Sequence, residues 1–188
     1  MPPRVKFSRE EIIAAALDIV RRGMAALTAR SLAAELGSSA KPVFGLFENM
    51  QEVQDEVVRA ANAEYQSFLR AEMMRGAYPP YKASGMAYIA FARQEKELFK
   101  LLFMRDRTEE DSETEDESID GIIALISRNT GLSNEDARLF HLEMWIFVHG
   151  IATMIVTGYL DWEEEYVSRT LTDVYEGLKA RWCGGNGK

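Results

Sequence analysis

The sequence predicts an all-α protein made of two domains. Apolar residues recur at spacings of three and four along most of the chain, which is the period of an amphipathic helix. Serine or asparagine precedes several of these stretches with an acidic residue three positions later, as is typical of helix N-termini. No stretch alternates apolar and polar residues as a half-buried strand would.

Composition narrows the class of protein further. The chain has 188 residues, of which 47% are hydrophobic, and it contains one cysteine and two histidines at wide spacing. This pattern gives no disulfide and no metal site, and no cofactor is expected. No run of about 18 apolar residues and no signal peptide is evident, so we expect a soluble cytoplasmic protein that does not enter a membrane.

The charges are distributed unevenly along the chain. Residues 1–50 carry seven basic and five acidic side chains, a net charge of +2, whereas the whole chain carries −8, so the remainder carries −10. A mildly basic head on an acidic body is typical of a DNA-binding module joined to a part with another task.

Capping signals mark the first helix and a long later one. Ser8 and Glu11 form a capping box, and Asn49 with Glu52 begins a second pattern that stays helical to about Arg75. A helix of that length, roughly 37 Å at 1.5 Å per residue, can link a head to a body. We therefore predict domains at 1–50 and 51–188.

Between these helices lies the stretch TARSLAAELGSSAKPVFGLF, residues 28–47. Thr28 can cap a short helix, and Gly37 gives the backbone freedom that a sharp exit needs. Ser39 can cap a further helix in which Pro42 lies in the first turn, where its missing N–H does no harm. This arrangement predicts a helix-turn-helix within a three-helix head.

The second domain is predicted to be a helical bundle. Its final two helices, beginning at Ser133 and Asp161, are apolar over wide arcs, which favours a homodimer formed through them. Residues 106–118 contain most of the acidic run RDRTEEDSETEDES and predict a solvated loop. The remaining helices are predicted at 81–93, 98–104 and 119–131.

The head resembles the tetracycline-repressor-like (TetR) family of bacterial transcriptional regulators. The resemblance covers LTARSLAAELGSSAKPVFGLFENMQEV, residues 27–53. The stretch WIFVHG, from Trp145 to Gly150, also looks like the tryptophan/histidine-glycine motif of one subgroup of regulatory domains in this family. The resemblance implies a homodimer whose heads bind a palindromic double-stranded operator and whose body binds a small-molecule effector.

Carried over to this chain, the resemblance implies a set of DNA-binding residues. Phe44 stands where the family usually has a tyrosine whose hydroxyl bonds a phosphate, and Met50 stands where it often has a lysine. Two phosphate contacts are therefore absent, and the basic residues of the N-terminal arm are expected to compensate. The predicted DNA-binding residues are Arg4, Lys6, Thr28, Arg30, Ser39, Ala40, Lys41, Pro42, Val43 and Phe44.

A set of aromatic and methionine side chains in the body has two interpretations. Such residues ordinarily fill a core, but together with the resemblance they also suggest a cavity for a mostly hydrophobic ligand. His149 is either a core or interface histidine or a group that hydrogen-bonds the ligand. The predicted ligand-binding residues are Tyr88, Phe91, Phe99, Phe103, Met144, Trp145, Phe147 and His149.

Two other classes of function are an enzyme and a protein-interaction module. Enzymatic chemistry is not expected, since no glycine-rich phosphate loop is present, and Arg138 and Ile146 stand where a Glu-x-x-His metal pair would need glutamate. The alternative that stays open is a helical protein-interaction module that does not bind specific DNA. The preferred function is a dimeric transcriptional regulator, a repressor released from its operator by a ligand.

Overall fold

The computed structural model describes residues 6–106 and 118–184. Arg4, most of the predicted acidic loop at 106–118 and the end of the glycine-rich tail lie outside the described residues. Every regular element within the described ranges is helical, which confirms the all-α prediction. The helices are α1 Arg9–Val20, α2 Ala29–Glu35, α3 Met50–Met74, α4 Pro80–Gln94, α5 Lys96–Phe103, α6 Ser118–Thr130, α7 Asn134–Val156 and α8 Glu164–Gly184, with a 3₁₀ turn at Met24–Ala26.

The chain divides into two compact units. The first comprises the described residues up to 67 together with 95–105, and the second comprises 68–94 with the described residues from 106 onward. Helix α5 thus belongs with the N-terminal helices, where Phe103 packs edge-on against Tyr65 of α3 with ring centroids 5.1 Å apart. The domain limits of 1–50 and 51–188 stay a prediction.

Local capping builds the first unit as the sequence predicts. In α1 the Ser8 side chain accepts from the Glu11 N–H and the Glu11 carboxylate accepts from the Ser8 N–H, which is a complete capping box. Thr28 caps α2 in the same way, with Ser31 as the reciprocal partner. Gly37 follows α2 with a φ of +56°, a conformation that glycine adopts without steric cost.

The segment that follows α2 departs from a regular helix. We call residues 39–47 the recognition segment. The N–H groups of Phe44, Gly45 and Phe47 bond to carbonyls four residues back, but those of Val43 and Leu46 bond to carbonyls only three residues back. The segment therefore forms helical turns, because Pro42 offers no N–H and Gly45 weakens helix formation.

Arg9 attaches the recognition segment to the rest of the first unit. Its guanidinium lies 4.2 Å from the centroid of the Phe47 ring and donates to the carbonyl of Leu46 at 2.5 Å. The same group bonds the carboxylates of Glu52 and Glu56 on α3, at 2.7 and 3.1 Å. One side chain of α1 thus holds the end of the segment and the start of α3.

The second unit is a bundle of α4, α6, α7 and α8. Helices α4 and α7 run parallel, since Tyr81 hydrogen-bonds His141 and Tyr88 hydrogen-bonds His149. Gly85 of α4 permits close packing, because a Cβ there would lie 3.4 Å from Val148 and 3.7 Å from Leu171. The predicted stripe of α6 is also found, with Ile123 and Ile126 buried in a cluster around Phe140.

Helix α7 is unusually apolar. By length and composition it could cross a membrane, as core helices of soluble proteins also could, and no other helix of the described chain meets that criterion. Ala137, Phe140, Met144 and Val148 lie on its buried face at spacings of three and four. A large part of its apolar surface is therefore in the core of the second unit, and the rest faces outward.

Candidate nucleic-acid interface

The recognition segment has an inner and an outer face. Val43 and Phe47, four residues apart, are 0% and 2% exposed and lie in the core of the first unit. Lys41 and Phe44 lie on the outside, and Phe44 is 45% exposed. The helical turns thus expose Lys41 and Phe44 while Val43 and Phe47 anchor the segment in the core.

Burial corrects one predicted DNA contact. Val43 is among the DNA-binding residues that the resemblance implies, but its side chain has no exposed surface. A valine at this position can only pack against the core, because the turn that directs Lys41 and Phe44 outward directs Val43 inward. Val43 is a core residue, and the prediction that it contacts DNA is wrong.

The other predicted contacts are accessible to different degrees. Ser39, Lys41 and Phe44 are exposed, while Ala40 and Pro42 are half-buried beside them. That these five residues contact DNA stays a prediction, and each has solvent-accessible surface.

Two more predicted contacts begin α2. Thr28 and Arg30 are both exposed. The Thr28 hydroxyl already accepts a hydrogen bond from the Ser31 N–H at 3.1 Å as part of the cap. Because the Ser31 hydroxyl donates to the Ala26 carbonyl at 2.6 Å, the Thr28 hydroxyl is the donor in their 3.0 Å contact and must give up that contact to bind a phosphate oxygen.

Lys6 lies beside the recognition segment. Its ammonium donates to the Ser38 hydroxyl at 3.0 Å, across 32 residues of sequence. The described end of the N-terminal arm therefore adds a positive charge next to the start of the segment. Arg4 lies outside the described residues, so its predicted role stays untested.

Three other arginines of the first unit form ion pairs with carboxylates of that unit. Arg21 bonds Asp18, Glu64 and Glu95 at 3.0, 2.6 and 3.2 Å, and Arg22 bonds Glu35 at 2.7 Å. Arg9 is held as described above.

The two carboxylate partners of Arg9 have lowered pKa values. The N–H of Glu48 and then the guanidinium of Arg9 lower the pKa of Glu52. Arg59 first and Arg9 second lower the pKa of Glu56. The net charge of residues 1–50 counts every arginine equally, but in the structure Arg9, Arg21 and Arg22 are paired with carboxylates.

The predicted ligand-binding residues are divided between the two units. Phe99 and Phe103 lie in the first unit, where their rings pack 5.0 Å apart, and Phe99 is fully buried. Phe91 is 1% exposed and packs edge-on against Phe68 in the second unit. Phe91 and Phe99 fill cores, which is the ordinary interpretation of such residues, and Phe103 packs half-buried beside Phe99.

A smaller group on α4 and α7 does come together. The Tyr88 hydroxyl lies 2.9 Å from Nδ1 of His149, and the His149 ring stacks on Trp145 with centroids 4.9 Å apart and an interplanar angle of 13°. Burial lowers the pKa of His149. Met144 and Phe147 flank this group on α7 as buried and half-buried side chains.

A separate pocket of about 220 Å³ opens in the second unit. Its apolar wall comes from α4, including Met86, Ala87 and Ile89, and none of the predicted ligand residues lines it. Tyr78 at its edge donates to Glu164 at 3.1 Å. The sequence offered no signal for this pocket, because its lining combines alanines and ordinary apolar residues with charged side chains from three helices. The charged side chains at that edge are Glu72, Arg75, Arg93 and Glu164.

The outward face of α7 carries an apolar stripe. Leu139, Leu142, Trp145, Ile146 and Met154 are all more than 40% exposed, Ile146 at 59%. Helix α8 differs from the sequence expectation, because only Val167 and Leu171 are buried and most of its exposed positions are polar.

No group of three or more histidine, cysteine or carboxylate side chains that could hold a metal ion occurs among residues 6–106 and 118–184.

Sequence and structure comparisons identify the family. The model of the tetracyclin repressor-like C-terminal domain matches residues 81–175. This match covers half of the chain, so the chain belongs to the TetR family of transcriptional regulators. Membership of such a family confirms the expectation that the chain is not an enzyme. Assignment to the tryptophan/histidine-glycine subgroup stays a prediction. No curated protein sequence matches the chain.

Solved structures share the fold across nearly the whole chain. A TetR-like transcriptional regulator from Rhodococcus sp. RHA1 has a TM-score of 0.64 at 14% identity, covering 99% of this chain and 100% of its own. A protein of unknown function from the same organism reaches 0.71 at 21% identity, covering 97% and 100%. A TetR family member from Streptomyces coelicolor A3 reaches 0.61 at 21% identity, covering 92% and 98%.

Proposed function

We propose that this chain is a homodimeric repressor whose two heads bind the halves of a palindromic operator and which a small, mostly hydrophobic ligand releases from DNA. The observation that carries the proposal is the outward face of the recognition segment. Lys41 projects from it, with Lys6 beside its start and Arg30 on the preceding helix. Side chains of this kind bind phosphates and base edges.

Dimer formation is supported by the apolar stripe of α7. An exposed stripe of five large apolar side chains on one helix is more than a monomer ordinarily leaves in water. Ile146, the most exposed of them on α7, is the position at which a charge would oppose an isologous interface most directly.

The dimer proposal is tested by sedimentation of the Ile146→Glu variant. We expect monomers at concentrations where the unaltered protein is dimeric. Ala124→Glu, which adds the same charge on the exposed side of α6, is the matched control and should remain dimeric. Dimeric Ile146→Glu protein would exclude the α7 stripe from the interface.

Release by ligand is proposed as a shift between two populations of the dimer. A ligand that binds the body more tightly in one state must weaken DNA binding if that state spaces the heads unsuitably. Helix α3 is the candidate transmitter, because residues 50–67 belong to the first unit and residues 68–74 of the same helix belong to the second. Tyr88, His149 and Trp145 are the predicted ligand-binding side chains that contact one another through polar and aromatic groups, and we propose that the ligand binds beside them.

Selection of bound DNA from a random pool tests the DNA-binding function. We expect enrichment of a palindrome whose half-sites are about one helical turn, roughly 34 Å, apart or a multiple of it. Lys41→Ala should then weaken binding to the selected site by about 1–3 kcal/mol if Lys41 contacts a guanine, or lower the salt slope by about one if it contacts phosphate.

Lys96→Ala provides the matched control for that variant. Lys96 is an exposed lysine of the first unit at the start of α5, and its removal changes the net charge equally. If no sequence is enriched and no DNA is retained at low salt, the chain is an interaction module without specific DNA binding.

A further inference from the structure

Phe44 is an exception to the packing of the first unit. Among the described residues of that unit it is the one exposed aromatic side chain, with 45% of its surface accessible. An apolar ring on a surface otherwise suited to a polyanion has no role in phosphate binding, because it carries neither charge nor hydrogen-bond donor.

The hydrogen-bond pattern fixes the neighbours of this ring. The Phe44 N–H bonds to the Ala40 carbonyl at 3.3 Å and the Gly45 N–H bonds to the Lys41 carbonyl at 3.1 Å. Positions three apart on such turns are adjacent on one face, so Lys41 and Phe44 project side by side. Gly45 adds no side chain next to the ring, which leaves that side open.

The major groove of DNA offers one apolar group, the C5-methyl of thymine, and phenylalanine is among the side chains that contact it. We propose that Phe44 determines specificity by packing its ring on the C5-methyl of a thymine in each operator half-site, adjacent to the position that Lys41 contacts. This inference rests on the proposed DNA-binding function. It assigns to this chain an apolar base contact where a tyrosine would offer its hydroxyl to phosphate.

Replacement of thymine by uracil tests the contact, since it removes only the methyl group. Each thymine of the selected operator is replaced in turn, symmetrically in both half-sites, and dissociation constants are measured. We expect one position at which uracil weakens binding of the unaltered protein about fourfold per half-site, the effect of exposing one buried methyl group.

The variant Phe44→Ala should abolish the uracil effect at that position only. It should bind the thymine-containing operator about as weakly as the unaltered protein binds the uracil-containing one. Phe44→Leu, which keeps an apolar side chain, should retain part of the effect. We expect these variants to fold, because the Phe44 side chain is exposed. Far-ultraviolet circular dichroism verifies this.

Met104→Ala is the matched control, because Met104 is another exposed apolar side chain of the first unit, at 40%. It should keep the full sensitivity to uracil. If specific binding persists but every uracil effect is the same for Phe44→Ala and the unaltered protein, the thymine contact is refuted and the DNA-binding function stands. If the unaltered protein binds no specific sequence, the proposed function and the contact both fail.

Discussion

Replacing Val43 by alanine distinguishes a core residue from a DNA contact. The valine side chain is fully buried, so the substitution removes two methyl-sized groups from the interior of the first unit. At about 0.8 kcal/mol for each group the transfer contribution is about 1.6 kcal/mol. Incomplete closure of the cavity raises the expected loss of unfolding free energy to about 2 kcal/mol.

The assay is thermal unfolding followed by far-ultraviolet circular dichroism. A loss of about 2 kcal/mol should lower the midpoint by about 4–8 °C in a chain of this size. Tryptophan fluorescence is unsuitable for this purpose, because all three tryptophans, Trp145, Trp162 and Trp182, lie in the second unit. Affinity for the operator, corrected for the folded fraction, should change less than for Lys41→Ala. A variant with unchanged stability and a tenfold loss of affinity would refute the burial argument and restore Val43 as a DNA contact.

Two further predictions concern the turn after α2 and the half-buried His141. Gly37→Ala should destabilise the protein by about 1–2 kcal/mol in urea unfolding, because φ is +56° and the new methyl group meets nothing within 4 Å, so the cost is conformational. Gly121→Ala on α6, also unobstructed, should instead be neutral or stabilising. Burial lowers the pKa of His141 below 6.5, so the unfolded chain binds its proton first and stability should fall as the pH decreases through that value. His141→Gln should flatten this decrease, and an unchanged pH profile would exclude His141 as its source.

Helix caps could be predicted from the sequence because their chemistry is local. The Ser8 cap of α1, the Asn49 oxygen that accepts from the Glu52 N–H at 3.0 Å, and the Ser133 cap of α7 are all formed as the spacing predicts. Each needs only residues within one turn of the chain, so no distant packing is required to specify it.

The orientation of residues in the recognition segment could not be predicted in the same way. The recognition segment, residues 39–47, is too short and has too few apolar positions to show from the sequence alone which of its sides faces the core. Val43 and Phe47 turn inward and are buried, and the guanidinium of Arg9, which lies far away in sequence, is placed over the Phe47 ring. A resemblance aligns positions along the chain, but burial depends on residues far away in sequence.

Whether the predicted ligand-binding side chains surround a cavity could not be read from the sequence, for a related reason. Composition shows that Phe91 and Phe99 are large and apolar, but it does not show whether they surround a space or fill one. They are 1% and 0% exposed and lie in different compact units. The pocket of the second unit is instead lined by alanines, a few larger apolar side chains and charged residues that lie far apart in sequence, so composition gives no signal for it.

The fold also changes what the charge asymmetry means for DNA binding. Seven basic residues precede residue 51, but Arg9, Arg21 and Arg22 are each committed to carboxylates. Lys6, Arg30 and Lys41 are exposed and form no ion pair with another described residue. Since each phosphate contact contributes about −0.9 to the dependence of log affinity on log salt, three per head give a slope of about −5 for a dimer, or about −7 if Arg4 joins them. A measured slope of about −10 or steeper would show that the paired arginines exchange their carboxylates for phosphate, and the first unit would then have to loosen α3 whenever it binds DNA.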